Sequence, residues 1–401
     1  MSSENPTDIR VEVCRAHDAS PDTLARWEAL LPLAAEDNLN FAPTPFYALL
    51  EANGDDAASL ALLWQGDTLV GVWPFRVRKA FNLPVRQLAT YYDSSHMMSS
   101  VPLLHADHVD GAVEAFLSWV HRDADVDLFG FDEVTGKSGI AEAIDASAAR
   151  LGYSVERYAA YERAVLERST VSFETYLQQS TSGKRRNTLK RKRKKIQAFG
   201  TWTVRCFSPS STAVDAGTTS VTATADWQTL LQDLIDVEAR SWKAGHGSAI
   251  ACNPGVKAFV TALCDYAAST GRLYLIAAYL DDKPVAAQLG LINDNEVMIY
   301  KLGYDDQFKA HSPGLLLTYD MICHAMQCEP RLGIDSCGDP AVRLYAETLQ
   351  QRRAIWKARY GTPALRARLV HGGIRLARLG LHTARNWIDR DDGGPQRRDA
   401  A

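Results

Sequence analysis

No apolar run among the 401 residues reaches the roughly 18 needed to cross a bilayer, so no membrane span is expected. The seven cysteines, at 14, 206, 252, 264, 323, 328 and 337, include no Cys-x-x-Cys pair. Their odd number and apolar neighbours argue for buried, reduced thiols rather than disulfides or zinc. A surplus of positive charge is also missing. Lys plus Arg is 44 against 48 Asp plus Glu, a net charge of −4. That excludes a nucleic-acid binder that is basic throughout and leaves only a local basic footprint. The start, MSSENPTDIR, is polar and has no secretory pattern, so a cytoplasmic protein is expected. Apolar residues make up 46% of the chain, enough for the core of a large domain or of two or three smaller ones.

The chain reads as two similar halves. In the second, Leu273–Leu280, Pro284–Ile292 and Glu296–Gly303 are strands separated by Asp281-Asp282-Lys283 and Asn293-Asp294-Asn295, an antiparallel meander. Helices over Asp226–Lys243 and Pro254–Thr270 precede it, and a helix over Gly314–Met326 follows. A strand at Arg331–Ser336, a helix from a Gly338-Asp339-Pro340 start through Leu349, and a strand at Arg353–Tyr360 complete the half.

The first half opens with a strand (Ile9–Cys14) and then, like the second, has two helices (Pro21–Ala35 and Pro45–Ala52). A hairpin follows, Ser59–Trp64 and Thr68–Val77, then a helix at Asp110–His121, a strand at Val126–Phe131, a helix at Ser138–Leu151 and a strand at Tyr153–Leu166. The two hairpins align, LALLWQGDTLVGVWPF against LIAAYLDDKPVAAQLG, which predicts a duplicated fold.

This element order resembles the GNAT acyltransferase fold, an α/β (α+β, mixed-sheet) architecture, here in tandem. Glu238–Lys243 (EARSWK), Tyr300–Asp305 (YKLGYD), Ser312–Leu316 (SPGLL) and a basic helix at 184–195 resemble the CelD/BcsL-type branch. That branch is similar to the FemABX-type peptidoglycan aminoacyltransferases, and the resemblance spans roughly residues 20–360. It implies a GNAT-like domain over 1–166, a second over 167–362 holding the acyl-CoA site, and a basic amphipathic helix and tail over 363–401. It also implies an acyl-CoA-dependent N-acyltransferase with acetyl-CoA or another acyl-CoA as co-substrate and no metal. The implied acceptor is an amine of a sugar or cell-envelope precursor, lipid- or nucleotide-linked, in cellulose or other exopolysaccharide biosynthesis. Two alternatives stay open: a FemABX-type enzyme using aminoacyl-tRNA, and a non-catalytic GNAT-fold partner of a polysaccharide synthase.

The junction Lys309–Leu317 is the candidate cofactor cradle. A helix start offers unpaired N–H groups to a phosphate, Gly314 permits close approach, and Lys309 and His311 add charge. Ser312, Leu315 and Lys301 complete the expected cofactor set. The matching stretch Tyr91–His105 has no glycine, so the cofactor is placed in the second half alone. The strand before the cradle would supply an N–H to the thioester oxygen as an amine attacks. Glu238, Tyr304 and Asp335 are the catalytic candidates, with the choice of base open.

Tyr91, Tyr92 and His96 are expected to line the acceptor pocket, with Trp242 and Arg191 as further acceptor-side candidates. His96, His105 and His108 match no helical zinc spacing. Residues 184–195 hold nine Lys or Arg in twelve, the sharpest charge anomaly in the chain. A polyanion, an anionic membrane face and a solvated surface are all open readings of it. Five arginines and a set of leucines between Pro363 and Ile388 suggest peripheral contact with the inner membrane surface.

Overall fold

In the computed structural model, residues 9–80, 85–135, 138–209, 214–215, 220–224, 226–328, 330–338 and 343–373 are described. The expectations for residues 1–8, for Asp339-Pro340 as a helix start, and for 374–401, including Arg375, Arg378, Arg385 and Trp387, lie outside them.

One mixed sheet runs through the chain, and its strand order repeats. In the first half Ile9–Arg15, Ser59–Gln65, Thr68–Lys79 and Arg86–Thr90 are successive antiparallel neighbours, and Arg86–Thr90 pairs in parallel with Leu128–Thr135. In the second half Trp202–Phe207, Leu273–Leu280, Lys283–Asn293 and Glu296–Tyr304 repeat that series, and Glu296–Tyr304 pairs in parallel with Gly333–Asp335. The aligned hairpins share a defect as well. The register slips at Leu63/Trp64, passing over Val70, and at Ala278/Tyr279, passing over Val285. These are matching positions of the two sequences, and a bulge at one aligned place in both is what duplication leaves behind.

The halves interlock where they meet. The last strand of the first half, Ser154–Leu166, pairs with Gly333–Asp335 of the second, and the last strand of the second half, Gln351–Gly361, pairs with Leu128–Thr135 of the first. The two exchanged strands also pair with each other, antiparallel, along their length.

Four helices cover one face of the sheet: Pro21–Leu30, Pro43–Asn53, Trp227–Ala239 and Pro254–Ser269. Trp27, Phe46 and Leu49 of the first half share a single core there with Leu234, Phe259 and Leu263 of the second. Each such buried side chain contributes roughly 1.5–3 kcal/mol relative to exposure. A Cβ on Gly255 would lie 3.3 Å from the Ala52 Cα, so two of these helices nearly touch across the seam. On the opposite face, Val109–Arg122 and Gly139–Arg150 back the first half, while Pro313–Gln327, Phe173–Ser180 and the basic Gly183–Ile196 back the second.

The structure departs from the sequence pattern in places. The apolar stripe of 226–243 predicts one helix, but Trp227–Ala239 ends there and a short helix begins at Trp242. Ser241 causes the break: its Oγ donates to the Glu238 carbonyl at 2.7 Å and accepts from the Lys243 N–H at 3.2 Å. Strands Arg86–Thr90 and Trp202–Phe207 had no clear alternation to reveal them. At the C-terminal end residues 365–373 are helical; Ala367 and His371 are buried, whereas Leu365 and Leu369 are 75% and 70% exposed. Among the described residues no helix is long and apolar enough to cross a membrane.

Candidate active site

Strand Glu296–Tyr304 organises the site. Among the described residues only Glu296, Val297 and Met298 pair with Gly333–Asp335. Beyond Met298 the parallel pairing stops where the partner strand ends at Asp335, and two residues on Cys337 takes a left-handed conformation (φ 47). The strand's opposite edge carries a bulge: Lys301 pairs with Leu289 and Ile299 with Gly290, so Tyr300 has no partner on Lys283–Asn293. A half-open strand edge with a bulge in it offers main-chain groups that the sheet does not consume.

That edge leads to the start of Pro313–Gln327. Ser312 takes a left-handed conformation (φ 55, ψ 57) and its side chain makes no capping bond, so the N–H groups of the first turn face outward from the helix end. Gly314 lies in that turn, where an added Cβ would come 3.3 Å from Cδ1 of Tyr304. Lys309 and His311 occupy the preceding 3-10 turn, Asp306–His311. Lys192 of the basic helix reaches across and donates to the Ser312 Oγ at 2.8 Å. The helix start, the glycine and the Lys192 ammonium thus meet, with Lys309 and His311 in the turn just before them, a donor set suited to a phosphate or pyrophosphate. Leu315 is in the same turn and half-buried. Tyr304 lies against this junction, and its hydroxyl is held protonated further up in pH by burial and by Asp306.

On the helix-covered face, at the level of the bulge, residues of both halves meet. His96 Nδ1 is 2.9 Å from the Tyr300 hydroxyl, and the His96 ring stands edge-on to Phe259 at 5.4 Å. Burial lowers the His96 pKa; Asp93 opposes that shift and Lys301 adds to it. Lys301 is also pushed down by burial, with Glu238 opposing and Lys243 reinforcing. Burial raises the Tyr300 pKa well above its usual value. Asp93 is held by the Asn53 side chain at 2.7 Å.

Several expected residues have other work. Glu238 is fully buried; it pairs with Lys243 and accepts from the Ile250 N–H at 3.0 Å. Lys243 also donates to the Leu302 carbonyl at 2.8 Å. Asp335 is fully buried and accepts from the Cys337 N–H at 2.8 Å and from Arg353 at 3.1 Å. Tyr91 is buried, and its hydroxyl accepts from Arg76 at 3.0 Å. Tyr92 is half-buried, its pKa raised by burial and then by Glu133. Trp242 is 47% exposed beside His246, and Arg191 faces solvent. Glu238, Lys301 and His96 therefore come together, as do Tyr304, Lys309, His311, Ser312, Gly314 and Leu315. Tyr91 neighbours Asn53 and Asp93 at the edge of the first group, and Asp335, Trp242 and Arg191 stand apart from both. Among the described residues no group of three His, Cys, Asp or Glu is placed to hold a metal.

Sequence reasoning did not single out Tyr300, Lys243 or Asp93. Tyr300 and Lys243 sit within the quoted motifs, but only the bulge and the helix break give them their places.

Residues 183–341 match the acetyltransferase (GNAT) domain family. The match takes in the basic helix, the meander, the open strand edge and the helix start, whereas His96, Asp93 and Asn53 lie outside it. No curated protein matches the chain in sequence. Among solved structures, the chain is similar to a conserved protein of unknown function from Bacteroides thetaiotaomicron VPI-5482, with 14% identity and a TM-score of 0.50 over 85% of this chain and 97% of that one. It is similar to FemX at 11% identity and a TM-score of 0.50, over 85% and 96% of the two chains. A tandem GNAT protein from the clavulanic acid biosynthesis pathway aligns at 13% identity with a TM-score of 0.41, over 88% and 98%. The first two likenesses cover both halves and support a GNAT-like mixed α/β fold for the chain as a whole.

Proposed function

We propose that the chain is an acyl-CoA-dependent N-acyltransferase of the CelD/BcsL type, working by direct aminolysis. The observation that carries this reading is the strand edge beyond Met298, which ends at a helix start furnished with Gly314, Lys192, Lys309 and His311. The pyrophosphate of acyl-CoA would take the helix start, and its pantetheine amides would pair with the open edge toward the Tyr300 bulge. In aminolysis the acceptor nitrogen bonds to the thioester carbon, the carbon–sulfur bond breaks, and the ammonium proton must leave. Glu238 and Asp335 are tied into buried ion pairs, so we assign proton removal to His96, which burial keeps neutral beside Tyr300. Tyr304, protonated and next to the helix start, is the group we assign to the departing thiolate.

The acceptor class, an amine of a sugar or envelope-polysaccharide precursor, rests on the sequence resemblance. Peripheral membrane contact rests instead on the five arginines and the leucines between Pro363 and Ile388. Calorimetry with acetyl-CoA tests the reading. Saturable binding that Gly314→Val weakens supports it. Failure to bind any acyl-CoA, with tRNA retained through purification and lost on ribonuclease treatment, would assign the site to aminoacyl-tRNA instead.

A further inference from the structure

The basic helix Gly183–Ile196 is divided in its use. Arg193 forms a two-pronged ion pair with the buried Asp320, and Arg185 pairs with Glu347 and donates to the Tyr319 hydroxyl. Arg186 caps the preceding helix by donating to the carbonyls of Leu177, Gln178 and Thr181. These contacts fasten the helix to the protein. Lys190, Arg191, Lys194 and Lys195 are left on the outer side, all exposed, and among the described residues none is paired with a carboxylate. Positions 190 and 194, and 191 and 195, are one turn apart, so the four form two adjacent rows.

Beside them lies a groove of 260 Å³ between this helix, Phe173–Ser180 and Pro313–Gln327. Its floor is apolar, built from Phe173, Leu177, Leu189 and Leu316, and Lys190 and Lys194 stand on its rim. At the end of the helix Phe199 is 57% exposed, edge-on to Phe308. Phe199 packs there toward Phe308 and His311, away from the groove, whereas the cations and the apolar slot lie side by side on a protein whose net charge is −4.

We propose that this face binds an anionic membrane lipid, with the phosphate headgroup on Lys190 and Lys194 and one acyl chain in the groove. Charge complementarity selects an anion, and the slot selects an amphiphilic one. A nucleic-acid backbone would engage the cations and leave the apolar floor exposed to water, whereas a lipid satisfies both. The site lies outside the cradle at Ser312, and the proposal does not depend on the transferase reading.

The test uses the full-length protein and sedimentation with vesicles of phosphatidylcholine, with and without one-third phosphatidylglycerol. Binding is expected only with phosphatidylglycerol, falling as salt rises. Each lysine near an anionic surface is worth about a fivefold change in partition, so Lys190→Gln with Lys194→Gln should lose about 25-fold. Both positions are exposed, and an unchanged circular dichroism melt verifies folding. A second measurement isolates the groove: dihexanoyl-phosphatidylglycerol below its micelle concentration should bind more tightly than glycerophosphoglycerol, the same headgroup without chains. Equal binding of those two ligands overturns the proposal. So does equal partition of the double variant, or vesicle binding abolished by saturating CoA, which would give the cations to the phosphates of the co-substrate. Tighter binding to a tRNA than to the vesicles would hand the face to nucleic acid.

Discussion

Arg163 stands directly opposite Arg353 where the exchanged strands of the two halves pair. Like charges facing each other across antiparallel strands repel, and Arg163 is only 1% exposed. Three carboxylates compensate. Glu133 accepts from Arg163 at 3.0 Å, Glu296 takes Arg353 in a two-pronged pair at 2.6 and 2.8 Å, and Asp335 lies between them, 3.9 Å from Arg163 and 3.1 Å from Arg353. Glu133 comes from the first half and Glu296 and Asp335 from the second, so the cluster ties the two halves together at their seam. It also accounts for Asp335, whose carboxylate sits between the buried Arg163 and the half-buried Arg353.

Breaking this cluster from one side should be expensive. Glu133→Gln leaves Arg163 buried with a weakened counter-charge, and a loss of roughly 3–5 kcal/mol is expected. Urea unfolding measures it. The exposed pair Arg10–Glu12 serves as control, since Glu12→Gln should change stability by less than about 1 kcal/mol. Equal effects at the two places would mean that the seam is not held by charge.

The cradle makes a second prediction. Gly314→Val would place a branched side chain against Tyr304, where a bare Cβ already comes to 3.3 Å. Affinity for CoA should fall by roughly 1–3 kcal/mol, the scale of a lost or unsatisfied polar contact. Lys192→Met should weaken CoA too, and flatten its salt dependence, because a cation leaves the Ser312 hydroxyl. Calorimetry at two salt concentrations checks both. Unchanged affinity in folded variants would move the co-substrate elsewhere.

The basic helix should divide by function. Arg193→Gln strands Asp320, which is fully buried and otherwise accepts from the Trp202 indole at 3.0 Å. A destabilisation of roughly 3–5 kcal/mol is expected. Arg191→Gln, two residues away and exposed, should leave stability within about 0.5 kcal/mol. Denaturant midpoints of the two variants decide whether the helix is part clamp and part open surface or uniformly solvated.

Legibility in the sequence followed locality. The meander was readable because Asp281 and the Asp294-Asn295 pair adopt the positive φ values (53, 47 and 60) that tight hairpins demand. The duplication was readable because Trp64 and Tyr279 hold matching places in the two hairpins. The helix start was readable from Pro313-Gly314 following a strand. The exchange of final strands was not, since pairing between residues as distant as Val165 and Gln351 leaves no local pattern. The basic run hid its own partition: Lys192, Arg193 and Arg191 are adjacent, and only packing against Pro313–Gln327 tells them apart. The interest of Glu238 and Asp335 was visible, but their burial in ion pairs depends on Lys243 and Arg353, which the folded chain brings to them.

The last prediction concerns pH. Burial holds the folded-state pKa of His96 below the ordinary histidine value of about 6.5. In the window between those two values the unfolded chain binds the proton and the folded chain does not, so ∂ΔG/∂pH is positive there. The stability contribution is present in full above about pH 6.5 and is lost as pH falls through the folded-state pKa, at about 1.4 kcal/mol per unit of separation. His96→Gln removes that titration, so the difference in unfolding free energy between wild type and variant should change as pH falls below 6.5 and be constant above it. The same proton governs catalysis if His96 is the base. The acid limb of kcat/KM should then lie below pH 6.5 and vanish in His96→Gln, with CoA affinity unchanged. A limb that persists in the variant would return the proton to another group. A stability difference that does not vary with pH would mean that His96 is not held neutral by the fold.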